Sequence, residues 1–257
     1  MSLTQGIIMF AAAFGAGVVN SIAGGGTLLT FPALIWLGLD AKVANATSTV
    51  ALWPGLMGSL WGYRREMMLS SRALLVRLGL VSLLGGVVGT VLLIATPALT
   101  FARLVPYLIL FATILFTLQE PVSRWLKLHP MGTDPRTSWW VGAMTLQFVA
   151  AIYGAYFGAG NGILILAVLG LLGLNDIHLA NGIKTFLAIV LNLVAVLGFS
   201  ISRLVHWPTA LLMIIGAIAG GYFGASVARR VGRVIVRRAV IAIGLAIGLL
   251  MLWRVRH

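Results

Sequence analysis

Cysteine is absent from this 257-residue chain, and only five side chains carry negative charge: Asp40, Glu66, Glu120, Asp134 and Asp176. The first absence excludes a disulfide framework and a thiolate metal site. The second shapes the whole molecule. Charged residues make up 9% of the chain and hydrophobic ones 60%, whereas a soluble domain carries about a quarter charged residues. Such a chain has too little polar surface to face water all round, and it reads as an all-α polytopic membrane protein. Also missing is a Ser-His-Asp arrangement, a pair of intramembrane carboxylates or a nucleotide-binding motif. The four histidines, at 129, 178, 206 and 257, form no i, i+4 pair, so no metal site is indicated. We therefore expect no enzyme, no cofactor and no direct ATP hydrolysis. The start, Met1-Ser2-Leu3-Thr4-Gln5, lacks the basic region of a secretory signal, and the first hydrophobic segment is expected to be retained.

Positive charge is what remains. The net charge of +13 would point to nucleic acid in a soluble protein. Here the lysines and arginines cluster between apolar runs, which matches loops facing anionic lipid, with no nucleic-acid partner. The apolar runs fall near 3–22, 27–39, 43–62, 72–95, 103–118, 139–158, 162–174, 178–200, 207–228 and 239–253. Several reach the ~20 residues a spanning helix needs, but 27–39 and 162–174 fall short. The longest polar connection, Gln119 to Thr137, contains Pro121, Pro130, Gly132 and Pro135. It divides the chain into a first repeat (1–118), a connecting loop (119–138) and a second repeat (139–257).

Each short run follows a glycine-rich break. The first is Asn20-Ser21-Ile22-Ala23-Gly24-Gly25-Gly26-Thr27, the second Phe157-Gly158-Ala159-Gly160-Asn161-Gly162. Glycine runs destabilise a helix interior, and within a bilayer irregular backbone survives only where protein or a watery cavity satisfies it. A shift of 136 residues aligns Gly24 with Gly160, Gly26 with Gly162, Leu28 with Leu164, Asp40 with Asp176, Ala44 with Ala180 and Asn45 with Asn181. Gly85-Gly86-x-x-Gly89 and Gly220-Gly221-x-x-Gly224 echo each other as well, in a spacing suited to close helix packing.

Charge distribution selects a topology. If each break is the tip of a hairpin that returns to its side of entry, twelve Lys/Arg (64, 65, 72, 77, 124, 127, 136, 229, 230, 233, 237, 238) share one side and five (42, 103, 203, 254, 256) the other, with Lys184 inside a helix. The positive-inside rule prefers this division to the more even one that follows if each broken segment crosses. The fold expected is thus two inverted repeats, each a broken helix or hairpin followed by three spanning helices, with both termini periplasmic.

Matched interrupted helices in two halves are the sequence pointer to a transport site. The short helices begin directly after the glycines, so their first N–H groups and dipoles offer an anion site that glycine lets a ligand approach closely. The expected site comprises Asn20, Ser21, Gly24, Gly25, Gly26, Thr27, Asn45, Ser48, Thr49, Gly160, Asn161, Gly162, Asn181, Lys184 and Asn192. Positions 45, 48 and 49 share a helical face, as do 181, 184, 185 and 192. A lysine at 184 costs roughly 2.5–3.5 kcal/mol in a bilayer unless paired or solvated; an anionic substrate is the counter-ion expected, and the alternative is a side chain snorkelling to the interface. Asp40 and Asp176 read as helix caps. The tryptophans, Trp53 among them, read as interfacial anchors.

These motifs resemble the sulfite exporter TauE/SafE family, also called the 4-toluene sulfonate uptake permease family. In the first half the likeness lies in Asn20 to Leu34 and Val43 to Ser48, and in the second in Tyr153 to Ile163 and Ala180 to Lys184. Relatives often have Thr-Asn-Arg or Thr-Asn-Lys where this chain has Thr47-Ser48-Thr49, so the first repeat lacks that positive charge and Lys184 stands alone. The resemblance implies transport of sulfite or an organosulfonate across the bacterial inner membrane by alternating access. It leaves the direction, coupling ion and oligomeric state open. Two other readings fit the residues: a permease for a carboxylate or neutral metabolite, and a membrane scaffold subunit whose glycines serve packing.

Overall fold

The computed structural model describes residues 2–22, 25–68, 70–128, 137–174, 176–231 and 233–256. Among them all regular structure is helical: α1 (Leu3–Ile22), α2 (Thr27–Trp36), α3 (Ala41–Gly62), α4 (Arg64–Met67), α5 (Arg72–Ala95), α6 (Ala98–Leu128), α7 (Thr137–Tyr156), α8 (Asn161–Leu171), α9 (Ile177–Ile201), α10 (Trp207–Val231) and α11 (Arg233–Arg256). Within these, Leu3–Ser21, Arg72–Ala95, Ala98–Leu118 and His178–Ile201 are each long and apolar enough to cross a membrane. Their outer faces expose Leu, Ile, Val and Phe in quantity. Contiguous apolar surface of that extent needs lipid rather than water against it, and the protein is a polytopic membrane protein. One boundary differs from the hydropathy reading. α6 continues beyond the apolar run at Leu118 to Leu128, because Gln119 to Leu128 retain helix-compatible residues despite Pro121.

Both breaks open where the glycines stand, and both short helices close alike. Gly38 (φ 94°) and Gly173 (φ 79°) adopt the left-handed conformation. Leu39 N then donates to Leu34 O (3.2 Å), and Leu174 N to Leu169 O (3.0 Å). This closure satisfies carbonyls at a helix end, and glycine adopts it without a Cβ penalty.

Packing partners exchange between the halves. α1 lies along α10, while α7 lies along α5; α3 packs on α10 as α9 packs on α5; α2 touches α11 and α8 touches α6. Helices α3 and α9 cross each other, and α6 pairs with α11. Small residues permit these approaches. A methyl group on Gly86 would lie 2.8 Å from Leu191 O, and one on Gly221 would lie 2.7 Å from Gly55 O. These two contacts are near equivalents, since 55 and 191 differ by the same 136-residue shift.

The contacts also set helix directions. Gly216 abuts Phe10 and Gly221 abuts Gly17, so α1 and α10 run parallel. Thr47 meets His206, and Gly55 meets Ala217, so α3 runs the same way. The chain must therefore turn back along α2 between them. In a second bundle of three, Gly85 meets Phe148 and Gly89 meets Ile152, while Gly79 meets Phe186 and Gly198 meets Thr90. Helices α5, α7 and α9 are thus parallel, and α8 is the returning arm. Lys42, at the start of α3, donates from Nζ to Ile94 O (2.7 Å) and Thr96 O (2.8 Å) at the end of α5. Helices α3 and α5 are therefore opposed, and the lysine caps carbonyls that the helix leaves unpaired.

Candidate functional site

A cavity of about 60 Å³ lies where the two breaks meet the α3–α9 crossing. Its lining is Asn20 from α1, Thr27 from α2, Thr49, Leu52, Trp53 and Leu56 from α3, Gly158, Asn161 and Gly162 from the second break, and Lys184, Thr185, Ala188 and Asn192 from α9. Of the expected site, Asn20, Thr27, Thr49, Asn161, Gly162, Lys184 and Asn192 meet here. Ser21, Gly25, Gly26, Asn45, Ser48, Gly160 and Asn181 stand outside the lining, and Gly24 lies outside the described residues.

Local sequence explains these positions. On α3 the lining residues 49, 52, 53 and 56 follow the i, i+3, i+4, i+7 spacing of one helical face. Residues 185, 188 and 192 are their repeat counterparts at 49, 52 and 56. The cavity thus straddles the line relating the halves, yet its walls differ. The α3 wall is mostly apolar, through Leu52, Trp53 and Leu56, and the α9 wall carries Lys184, Thr185 and Asn192.

Lys184 is 3% exposed, so it does not snorkel. Its Nζ donates to Asn181 Oδ1 (3.0 Å), one of the three donors an ammonium holds. No acidic residue lines the cavity. Asn161 is likewise buried, and its Oδ1 has no hydrogen-bond partner among the described residues.

The breaks themselves work differently from a bare row of amides. Asn20 Oδ1 accepts from Gly25 N (2.9 Å) and Gly26 N (2.8 Å). The first break therefore satisfies these donors internally, and the side chain of Asn20 is the bond-former there. In the second, Gly158 (φ 84°) and Gly160 (φ 75°) are left-handed, and Tyr153 Oη donates to Ala159 O (2.7 Å). Asn45 and Ser48, outside the lining, tie the scaffold: Asn45 Nδ2 donates to Tyr156 O (2.9 Å), and Ser48 bonds Thr30 (2.6 Å between hydroxyls). Asp176 caps α9 by accepting from His178 N (2.8 Å) and Leu179 N (3.3 Å), as its position predicts. Asp40 holds the equivalent position before α3 with no side-chain bond there.

Trp53 corrects one expectation. It is no interfacial anchor: its ring is in the middle of α3, and Nε1 donates across the crossing to Ile189 O (3.1 Å). Residue 189 is the repeat counterpart of residue 53, so this bond joins a position to its own equivalent. Helical periodicity extended from Thr49 would have found Leu52, Trp53 and Leu56; the segment-end bias of tryptophan concealed it.

A pocket of mixed polar and apolar lining where two interrupted-helix units meet, within a polytopic helical protein, fits the architecture of a membrane transporter. A family model described as "Sulfite exporter TauE/SafE" matches residues 9–251, and the chain belongs to that family. Among its relatives is a "Probable membrane transporter protein" of Haemophilus influenzae, 28% identical over 91% of this chain and 89% of the relative. "Probable membrane transporter protein ORF9" of Sinorhizobium sp is 27% identical over 95% and 91%, respectively. "Probable membrane transporter protein YfcA" of Escherichia coli is 26% identical over 94% and 87%. No solved structure matches.

Proposed function

We propose that this transporter moves a small anion, sulfite or a compact organosulfonate, across the bacterial inner membrane by alternating access between two inverted repeats. The observation that carries the reading is Lys184: a buried cation whose hydrogen bond among the described residues goes to the neutral Asn181, on the wall of a cavity that no described carboxylate lines. An uncompensated charge at that depth is costly, and an anion entering the cavity supplies the balance. Asn161 and Asn192 add neutral amide donors around it, while the hydroxyls of Thr49 and Thr185 donate to Asn45 O (3.0 Å) and Asn181 O (2.8 Å) on their own helices and offer the cavity their oxygens. The small volume favours an oxyanion over a drug-sized ligand, whose pockets measure ~300–1,000 Å³. Leu52 and Trp53 opposite Lys184 would accept a short apolar substituent, which is why organosulfonates stand beside sulfite.

Inverted repeats are supported by the exchange of packing partners and by the opposed directions of α3 and α5. With the basic loops cytoplasmic, both termini and the Asp40–Lys42 turn are periplasmic. A single cysteine placed at position 256 should then react with an impermeant reagent in intact cells, and one at position 65 should not; the native chain has no cysteine to interfere. The function itself is tested by reconstituting the chain in liposomes and measuring flux of sulfite, methanesulfonate, acetate and a neutral solute. Sulfite or sulfonate flux is expected. Flux of acetate or the neutral solute alone would replace the substrate assignment, and no flux with any solute would favour a scaffold.

A further inference from the structure

Arg77 occupies an unusual place for a cation. It lies inside the apolar span Arg72–Ala95, more than one turn from its start, and it is exposed. Leu80, Leu84 and Val91 follow it at i+3, i+7 and i+14, on one helical stripe, and are 56%, 60% and 57% exposed. That stripe is the lipid-facing side of α5, because Gly79, Ser82, Gly85, Gly86 and Gly89 point into the protein. The guanidinium of Arg77 stands over the Trp140 ring of α7, 5.9 Å from its centroid. Neither α5 nor α7 contains an acidic residue. Arg64, Arg65 and Arg72 are exposed in the preceding connection at the same end of the helices.

An arginine beside a tryptophan near a helix end suits the headgroup level of a bilayer, and among the described residues no acidic side chain pairs with Arg77. We propose that the α5–α7 seam binds an acidic phospholipid, with Arg77 holding the headgroup phosphate and its acyl chains lying along Leu80, Leu84 and Val91. The planar guanidinium presents a fork of N–H donors matched to phosphate oxygens, and Trp140 fixes its plane through a cation–π contact. Basic positions between helices near the interface recruit acidic headgroups in this manner. The second half has no equivalent: position 212, the counterpart of 77 under the 135-residue offset of Gly86 and Gly221, is leucine. The site is therefore a property of one seam and not of the repeated fold.

Native mass spectrometry of the purified full chain, titrated with phosphatidylglycerol and with phosphatidylcholine of the same acyl chains, tests the proposal. The wild type should retain phosphatidylglycerol in preference to phosphatidylcholine. Arg77→Gln should reduce the retained phosphatidylglycerol several-fold and leave phosphatidylcholine unchanged. Arg77→Lys should fall between them, since it keeps charge and loses the fork. Arg103→Gln, a change at an exposed arginine on α6, should have no effect. Should Arg77→Gln not fold, Arg77→Lys and Trp140→Leu carry the test. Equal retention of both lipids by the wild type, or an undiminished preference in the Arg77 and Trp140 variants, overturns the proposal.

Discussion

The two breaks descend to the same crossing with the same kind of glycine-rich backbone, and they are finished by different chemistry. In the first, the side chain of Asn20 accepts both glycine amides, and Ser48 is taken up by Thr30. In the second, left-handed Gly158 and Gly160 shape the turn, Tyr153 pins it, and Lys184 at the counterpart of Ser48 is left with donors to spare. The first break satisfies its own amides, and α3 supplies the apolar wall. Helix α9 supplies the charge. Residues 136 positions apart make similar helix contacts, while the side chains on the two walls of the cavity differ in charge.

Positions 184 and 48 carry the largest expected difference between α9 and α3. Lys184→Met should weaken anion binding by about 1.5–3 kcal/mol, the scale of a hydrogen bond to a charged group, or roughly ten- to a hundredfold. Thermal stability should hold or rise, because Met removes a buried charge whose solvation the protein must otherwise supply. Ser48→Ala should change affinity by less than about threefold, since the hydroxyl is directed at Thr30 and a factor of three is under 1 kcal/mol. Isothermal calorimetry with sulfite and an unfolding scan measure both; equal losses in the two variants would remove the asymmetry.

The glycines sharpen it next. A methyl group on Gly25 would run into the Phe116 ring of α6, an overpacking that costs about 1–3 kcal/mol. Phe116→Leu should restore much of it. Gly160→Ala places a Cβ in the left-handed region, at about 1–2 kcal/mol, and no neighbouring substitution should relieve that strain. Thermal melts of the single and double variants distinguish a steric glycine from a conformational one. Smaller again is Asn20→Ala, which strips the acceptor from two amides and should cost about 1 kcal/mol, the usual scale for a lost helix-terminus acceptor, with Asn161→Ala near neutral by the same melt. Trp53→Phe closes the series. Loss of one neutral hydrogen bond to Ile189 O amounts to about 0.5–1.5 kcal/mol, so the melting temperature should fall only slightly.

Much of this was legible in the residues. Composition identified a membrane protein, and the breaks were found where their glycines stand. The 136-residue shift pairs Asn45 with Asn181 and also Thr49 with Thr185, and it anticipates which helices are equivalent. Lys184 stands out in the residues because a lysine in an apolar run demands a partner. Other parts were not legible. Nothing local says that Asn20 would turn back on Gly25 and Gly26 instead of facing a ligand, because both uses suit an asparagine beside a helix start. Trp53 looked like an anchor because tryptophan favours segment ends, and only the α3–α9 crossing gives its indole a carbonyl to meet. Lys184 in isolation fits either a buried site or a snorkelling chain.

The residues alone dictate a helical chain built for a bilayer, with two glycine-rich segments whose flanking residues recur 136 positions apart. Hydropathy, glycine content and periodicity are properties of neighbouring residues, and they act before any helix meets another. Tertiary structure alone decided which glycine packs against which helix, which amides are already satisfied, and which wall of the cavity is charged. Those outcomes depend on contacts between residues more than a hundred positions apart, such as Trp53 with Ile189 and Asn45 with Tyr156, and the competition for each donor is settled only when the helices have crossed.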